Sequence, residues 1–219
     1  MSEALSIAAA LVHALGFWLY SARLLRGALA ACCASWLMRA FGAAVLFLMW
    51  SGAGLPLVYM LHSAVSGFGA LLVVILLCGR GCSIPPARQD IALFAADAAL
   101  LAIYLVLLRD LDAPWAATAV LAIATLRKVV PYWPLIRSLK EDPGRERPVP
   151  WLVWALGYGL LWQAAVQADL PVIIQVYTFA MAGLHLWIAL VTYRRHPVRL
   201  DLMTRRRRGI GQVVPTSSI

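Results

Sequence analysis

Seven stretches of this chain are apolar for long enough to cross a bilayer, and that constraint decides most of what it can fold into. The runs are roughly 3–25, 34–50, 55–78, 90–108, 114–138, 150–167 and 169–193. A helix of about 20 apolar residues spans the hydrocarbon layer. Only 13% of the residues are charged against 63% hydrophobic, too little charge to cover a soluble domain of 219 residues. In lipid every backbone N–H and C=O must be bonded within the protein, and for runs of this length that means helices. The first run lacks a basic leader and belongs to the repeat below, so a cleaved signal peptide is not expected.

The chain also nearly repeats itself at an offset of 115 residues. Trp18 matches Trp133, Trp36 matches Trp151, and Ala40, Gly42 and Leu55-Pro56 match Ala155, Gly157 and Leu170-Pro171. Leu/Leu and Ala/Ala matches arise freely in apolar sequence, whereas Trp, Gly and Pro paired in one frame do not. Runs one to three and five to seven form the two triplets, and the fourth has no counterpart. Three spans reverse the chain and a fourth restores its direction, so the triplets are parallel. The predicted fold is therefore an all-α membrane protein of seven transmembrane helices. It comprises a first triple-helix bundle over 1–78, a linker helix over 90–108, a second bundle over 114–195 and a basic, disordered tail over 196–219. Duplication inside a hydrophobic chain is the usual sign of a transporter with its site between the repeats.

A formal charge of +9 raises the possibility of a nucleic-acid partner, but its placement argues against one. Arg23, Arg26, Arg80, Arg88, Arg137, Lys140, Arg145, Arg147, Arg194, Arg195 and Arg199 fall in alternate loops and the tail. The opposite loops hold Arg109 beside Asp110 and Asp112, plus Asp169. The positive-inside rule then puts the N-terminus outside and the C-terminus in the cytoplasm. The run Arg205–Arg208 is a topology anchor in preference to a binding site for anionic lipid. Cys32, Cys33, Cys78 and Cys82 all lie on the cytoplasmic side and are expected to be reduced, inert thiols.

The second triplet resembles a known family. Pro131-Tyr132-Trp133-Pro134 and the basic turn after it resemble the Pro-Gln motif of the PQ-loop, SWEET and SemiSWEET transporters. Pro150-Trp151-Leu152-Val153-Trp154-Ala155-Leu156-Gly157 is similar to that family's aromatic second helix. Trp162 and Asp169-Leu170-Pro171 resemble its second-helix Trp and the start of its third helix. With the three-one-three plan, the resemblance covers nearly the whole chain. It departs at the signature glutamine, where Tyr132 stands, and in the first repeat, which has Gly16-Phe17. The resemblance implies a central cavity, with Trp162 and its frame partner Phe47 as cavity walls. It also implies gating by bending at Pro131 and Pro134, and an amide role for Gln175. Trp151-x-x-Trp154 is similar as well to the paired tryptophans of PnuC vitamin carriers.

Charged side chains at mid-membrane cost about 2.5–3.5 kcal/mol or more and need a reason to be there. Arg127 and Lys128 lie near the middle of the fifth run, and the repeat frame sets His13 opposite Lys128. Neighbours on a helix point about 100° apart, so one pore cannot receive both. Lys128 is preferred for its His13 counterpart. Asp97, the one acid well inside a run, is expected to be a counter-ion to Arg127 or Lys128 before a proton-coupling group. His62 and Tyr177 are frame partners whose polar tips can join Gln175 at the cavity, whereas His185 is expected to be a satisfied core histidine. Trp18, Trp36, Trp133, Trp151 and Trp154 read mainly as an interfacial belt.

These features predict a bacterial-type inner-membrane transporter for a small polar solute, either a sugar or a small organic anion. It would work by alternating access, as facilitated diffusion. The alternative is a receptor or scaffold of the same fold that binds a carboxylate-bearing ligand, as in the KDEL receptor. Enzyme function is not expected, because the chain has no His-x-x-x-His or Gly-x-Ser-x-Gly motif. Neither a metal nor another cofactor is expected. Both triplets lie in one chain, so a single copy supplies one pathway, and an oligomer is compatible with that.

Overall fold

The computed structural model describes residues 1–27, 33–79, 88–109, 114–141 and 146–195. The tail with Arg205–Arg208, and Cys32 and Cys82, lie outside the described residues. Among the described residues eight α-helices follow in order: α1 (Ser2–Leu25), α2 (Cys33–Gly52), α3 (Leu57–Gly79), α4 (Arg88–Arg109), α5 (Pro114–Leu126), α6 (Trp133–Glu141), α7 (Pro148–Gln167) and α8 (Val172–Arg195). Six helical segments are long and apolar enough to cross a membrane, and the apolar part of α4, Ile91–Leu107, is shorter. The chain is thus all-helical among the described residues, with six to seven apolar helices suited to a bilayer.

The distribution of side chains agrees with a lipid solvent. Leu11, Phe68, Ile75, Leu156 and Phe179 are exposed, while His13, His62, His185, Ser6, Thr178 and Thr192 are buried. In water so much exposed apolar surface would drive association. In hydrocarbon it faces lipid, and the polar groups collect where they can bond one another. α1 packs along α3 and α7, α3 along α1 and α2, and α7 along α1 and α8. The α5–α6 segment lies beside α2 and α8, and α4 covers α2 and α5. The long segments therefore close a ring in the order α1, α3, α2, α5–α6, α8, α7.

The expected span 114–138 is not one continuous helix. α5 gives way to a 3-10 turn over Arg127–Tyr132, and α6 resumes at Trp133. Pro131 is the cause: it has no N–H to give, and its ring collides with the carbonyl four residues back, that of Arg127. Ser35 Oγ of α2 donates to the carbonyl of Pro131 at 2.8 Å, bonding a group beside the break. Pro134 falls in the first turn of α6, where a missing N–H had no intrahelical partner to lose.

The α2–α3 and α7–α8 turns are built alike. The N–H groups of Ala53, Gly54 and Leu55 donate to the carbonyls of Met49, Ser51 and Trp50 at 2.9, 3.0 and 3.1 Å. Those of Ala168, Asp169 and Leu170 donate to Ala164, Val166 and Ala165 at 3.0, 3.2 and 3.0 Å. Each donor and each acceptor is displaced by the same 115 residues. Both turns carry a left-handed residue, Gly54 at φ 75° and Asp169 at φ 49°, as helix C-caps commonly do. Aspartate tolerates this region, and a β-branched residue does not. Asp169→Val should therefore lower stability by about 1–2 kcal/mol, while Asp169→Gly should match or exceed the native chain. The thermal unfolding midpoint in detergent checks both.

Candidate functional site

Every long segment of the ring sends a side chain to one central cavity. His13 and Phe17 come from α1, Arg39 from α2, Ser66 from α3, Lys128 and Tyr132 from the 3-10 turn, Tyr158 from α7 and His185 from α8. The cavity volume is about 30 Å³, room for about two waters. The break in span five places Lys128, Pro131 and Tyr132 together at its wall.

One end of the cavity is plugged by a cation among aromatic rings. The guanidinium carbon of Arg39 sits 4.0 Å from the Tyr132 ring centre, 4.4 Å from Trp36 and 5.0 Å from Trp151. Arg39 is only 9% exposed, and its Nε has no hydrogen-bond partner among the described residues. A desolvated cation–π contact is worth about 2 kcal/mol, against several kcal/mol to take the ion out of water. The rings alone thus offset the burial of this charge only in part. Beyond them sits Glu146, which is fully buried. Its two carboxylate oxygens accept from Tyr20 Oη at 2.8 Å and Trp151 Nε1 at 3.2 Å, joining α1 to α7.

Deeper in the cavity, hydrogen bonds set the histidine tautomers. His185 Nδ1 lies 2.7 Å from the Met181 carbonyl and must donate to it. In the neutral ring Nε2 is then an acceptor, and the Tyr132 hydroxyl donates to it at 2.9 Å. His13 Nδ1 and His62 Nε2 are 3.0 Å apart. One nitrogen must donate and the other accept, so the two rings cannot both be fully protonated. Trp154 Nε1 donates to the His13 carbonyl at 3.1 Å. Tyr158 lies against His13, His62 and His185, with ring centres 5.1, 4.5 and 4.9 Å away.

Among the residues singled out from sequence, His13, Lys128 and Pro131 meet at the cavity. His62 stands behind His13, and Tyr177 stands behind Tyr158, their hydroxyls 3.5 Å apart. The others lie elsewhere. Gln175 Nε2 donates to the Leu170 carbonyl at 2.7 Å, in the first turn of α8. Phe47 lines an apolar groove with Phe41 and Phe68 outside the cavity, and Trp162 is 39% exposed against Phe179. Neither is a cavity wall. Pro134 is buried in α6 and does not line the cavity. Arg127 reaches α4, where its Nη2 donates to the Leu93 carbonyl at 3.4 Å; the Asp97 side chain lies outside the described residues. The belt expected of the tryptophans suits the exposed Trp18 and Trp133, whereas Trp36, Trp151 and Trp154 are interior. Cys33 and Cys78 are free thiols with their sulfurs 3.9 Å apart.

Sequence reasoning passed over Arg39, Glu146 and Tyr158. Arg39 carried a usable signal, a lone charge inside an otherwise uncharged run. Glu146 did not, since it sits between Arg145 and Arg147 in a polar loop. Compared with known proteins, the chain matches no protein-family model, no curated protein and no solved structure.

Glu146 precedes α7 and lies outside the membrane-spanning segments. Burial pushes its carboxyl up to about 7, against the hydrogen bonds from Tyr20 and Trp151 and the charge of Arg39, which pull it down. The folded protein therefore keeps a proton that the unfolded chain loses near 4.5. The stability this contributes is complete below that pH and is lost as pH rises through about 7. The unfolding midpoint should fall from about pH 5 to about pH 8, and Glu146→Gln should flatten that slope.

Proposed function

We propose that this chain is a SWEET-like transporter. It consists of two parallel three-helix repeats joined by the linker helix 90–108, and it moves a small polar solute across the membrane by alternating access. The observation that carries the reading is the broken fifth span. A helix interrupted at mid-membrane, with a basic side chain and a proline at a cavity between two bundles, is how many secondary transporters build a site. A 3-10 stretch within a helix is also a recurrent hinge, so Pro131 is the natural gating residue.

Three observations support the repeat. The two helix turns match hydrogen bond for hydrogen bond at the 115-residue offset. The ring order visits the first, third and second spans of each triplet in turn. The frame partners Gly42 and Gly157 each face a basic member of the other pair. A Cβ at Gly42 would meet Lys128 at 3.7 Å, and one at Gly157 would meet His13 Nδ1 at 3.4 Å. The N-terminus is placed outside and the C-terminus in the cytoplasm on the alternate basic loops. A cavity of this size is a closed state, and a solute enters when the two bundles part. The same-fold receptor reading draws its support from Arg39, whose guanidinium suits a carboxylate terminus.

Counterflow in proteoliposomes tests the proposal with one panel of neutral sugars and one of small organic anions. Flux is expected from the native chain, reduced about tenfold or more by Lys128→Gln, which removes a charge-assisted contact worth about 1.5–3 kcal/mol. No flux from folded, correctly oriented protein would move the assignment to a receptor or scaffold.

A further inference from the structure

Two thiols lie against each other at one end of the α2–α3 hairpin, away from the cavity. Cys33 is the first residue of α2 and Cys78 the last but one of α3. The helices pack along each other from the turn at Leu55-Pro56, and each cysteine stands 22 residues from that pair. An antiparallel hairpin of equal arms sets such positions opposite one another. Their sulfurs are 3.9 Å apart, and a disulfide needs about 2 Å, so the side chains have about 2 Å left to close. Cys78 is exposed and Cys33 half-buried. In the sequence Arg26 precedes Cys33 and Arg80 follows Cys78. The positive-inside rule puts this end in the cytoplasm, where thiols are ordinarily reduced.

Contact between the sulfurs matters because disulfides form by exchange in two steps. A thiolate first attacks a disulfide, and a second thiolate must then reach the mixed disulfide before a small thiol reverses it. Exposure gives the first role to Cys78. Cys33 suits the second, since it opens α2, where the helix dipole favours an anionic sulfur. We infer that Cys33 and Cys78 are a reversible redox pair, oxidised by a low-molecular-weight disulfide such as glutathione disulfide. The Cys78 sulfur bonds to one sulfur of the reagent and releases one small thiol. The Cys33 sulfur then bonds to Cys78 and releases the second. The two cysteines give up two protons and two electrons, and the reagent takes them to become two thiols. Excess small thiol runs both steps backward. The first turns of α2 also carry Ser35, which bonds the Pro131 carbonyl, and Trp36, which touches Arg39. The new bond therefore ties to α3 the part of α2 that meets the broken span. The inference stands apart from the transport reading, since neither cysteine lines the cavity.

Incubation of the full chain in detergent with glutathione disulfide, followed by alkylation and peptide mass spectrometry, tests the pair. The native chain should lose the mass of two hydrogens and yield a linked Cys33–Cys78 peptide, which excess reduced glutathione should remove. The link should survive Cys32→Ser with Cys82→Ser. In that background Cys33→Ser should stop at the first step, with one glutathionyl group on Cys78, whereas Cys78→Ser should leave Cys33 open to alkylation and without glutathione. A native chain unchanged in mass would overturn the pair. So would a link that runs through Cys32 or Cys82 instead, or a native Cys78 that keeps its glutathionyl group without closing onto Cys33.

Discussion

Arg39 draws the bundle together at one point. Its guanidinium touches Trp36 on its own helix, Tyr132 at the end of the broken span and Trp151 on α7. Trp36 lies about 100 residues before Tyr132 and Trp151 in the chain, so the burial of one cation fixes how distant segments meet. Because the rings recover only part of the cost of burying that charge, the surrounding arrangement is specific. Trp151 answers to Glu146 on its far side, Tyr132 answers to His185, and Glu146 reaches back to Tyr20 on α1. Loss of any one of these partners would leave a buried polar group without its bond.

The broken fifth span follows from the same requirement applied to the backbone. Pro131 takes a donor out of the ladder, and lipid supplies no substitute. Ser35 of α2 bonds the carbonyl of Pro131 and so ties α2 to the segment at the break. Close approach there is helped by Gly42, beside which the Lys128 side chain passes, and at the α1–α7 contact by Gly157 beside His13. Small residues let backbones come near where van der Waals packing and hydrogen bonds, not the hydrophobic effect, bring helices together in lipid. The basic residue and the break are consequences of one local arrangement.

The 115-residue frame is silent about facing. It paired Phe47 with Trp162, and both lie outside the cavity. It paired His13 with Lys128, and both line it. It paired His62 with Tyr177, and both stand in a second layer against Tyr158. The members of each of these three pairs share an environment, but which environment depends on the rotation of the helix about its axis. At about 100° per residue, a shift of two positions turns a wall residue to lipid. Glu146 shows a different blindness. Flanked by arginines in the sequence, it has the signature of a solvated charge, and only its contacts with Tyr20 and Trp151 show it buried.

The sequence by itself determined the apolar helices, the place where the fifth run breaks and the positions of the matching turns. These depend on hydrophobic length, on the missing N–H of proline and on the residues that tolerate a left-handed backbone, all of which act within a few residues. Tertiary structure decided which face of each helix turns inward, and with it the meeting of Arg39, Lys128, His13 and His185 around a cavity for about two waters. That choice was hidden because nearly every face of these helices is apolar. In lipid an apolar face is equally content outside or in, so facing is set by a few buried polar contacts between segments far apart in the chain.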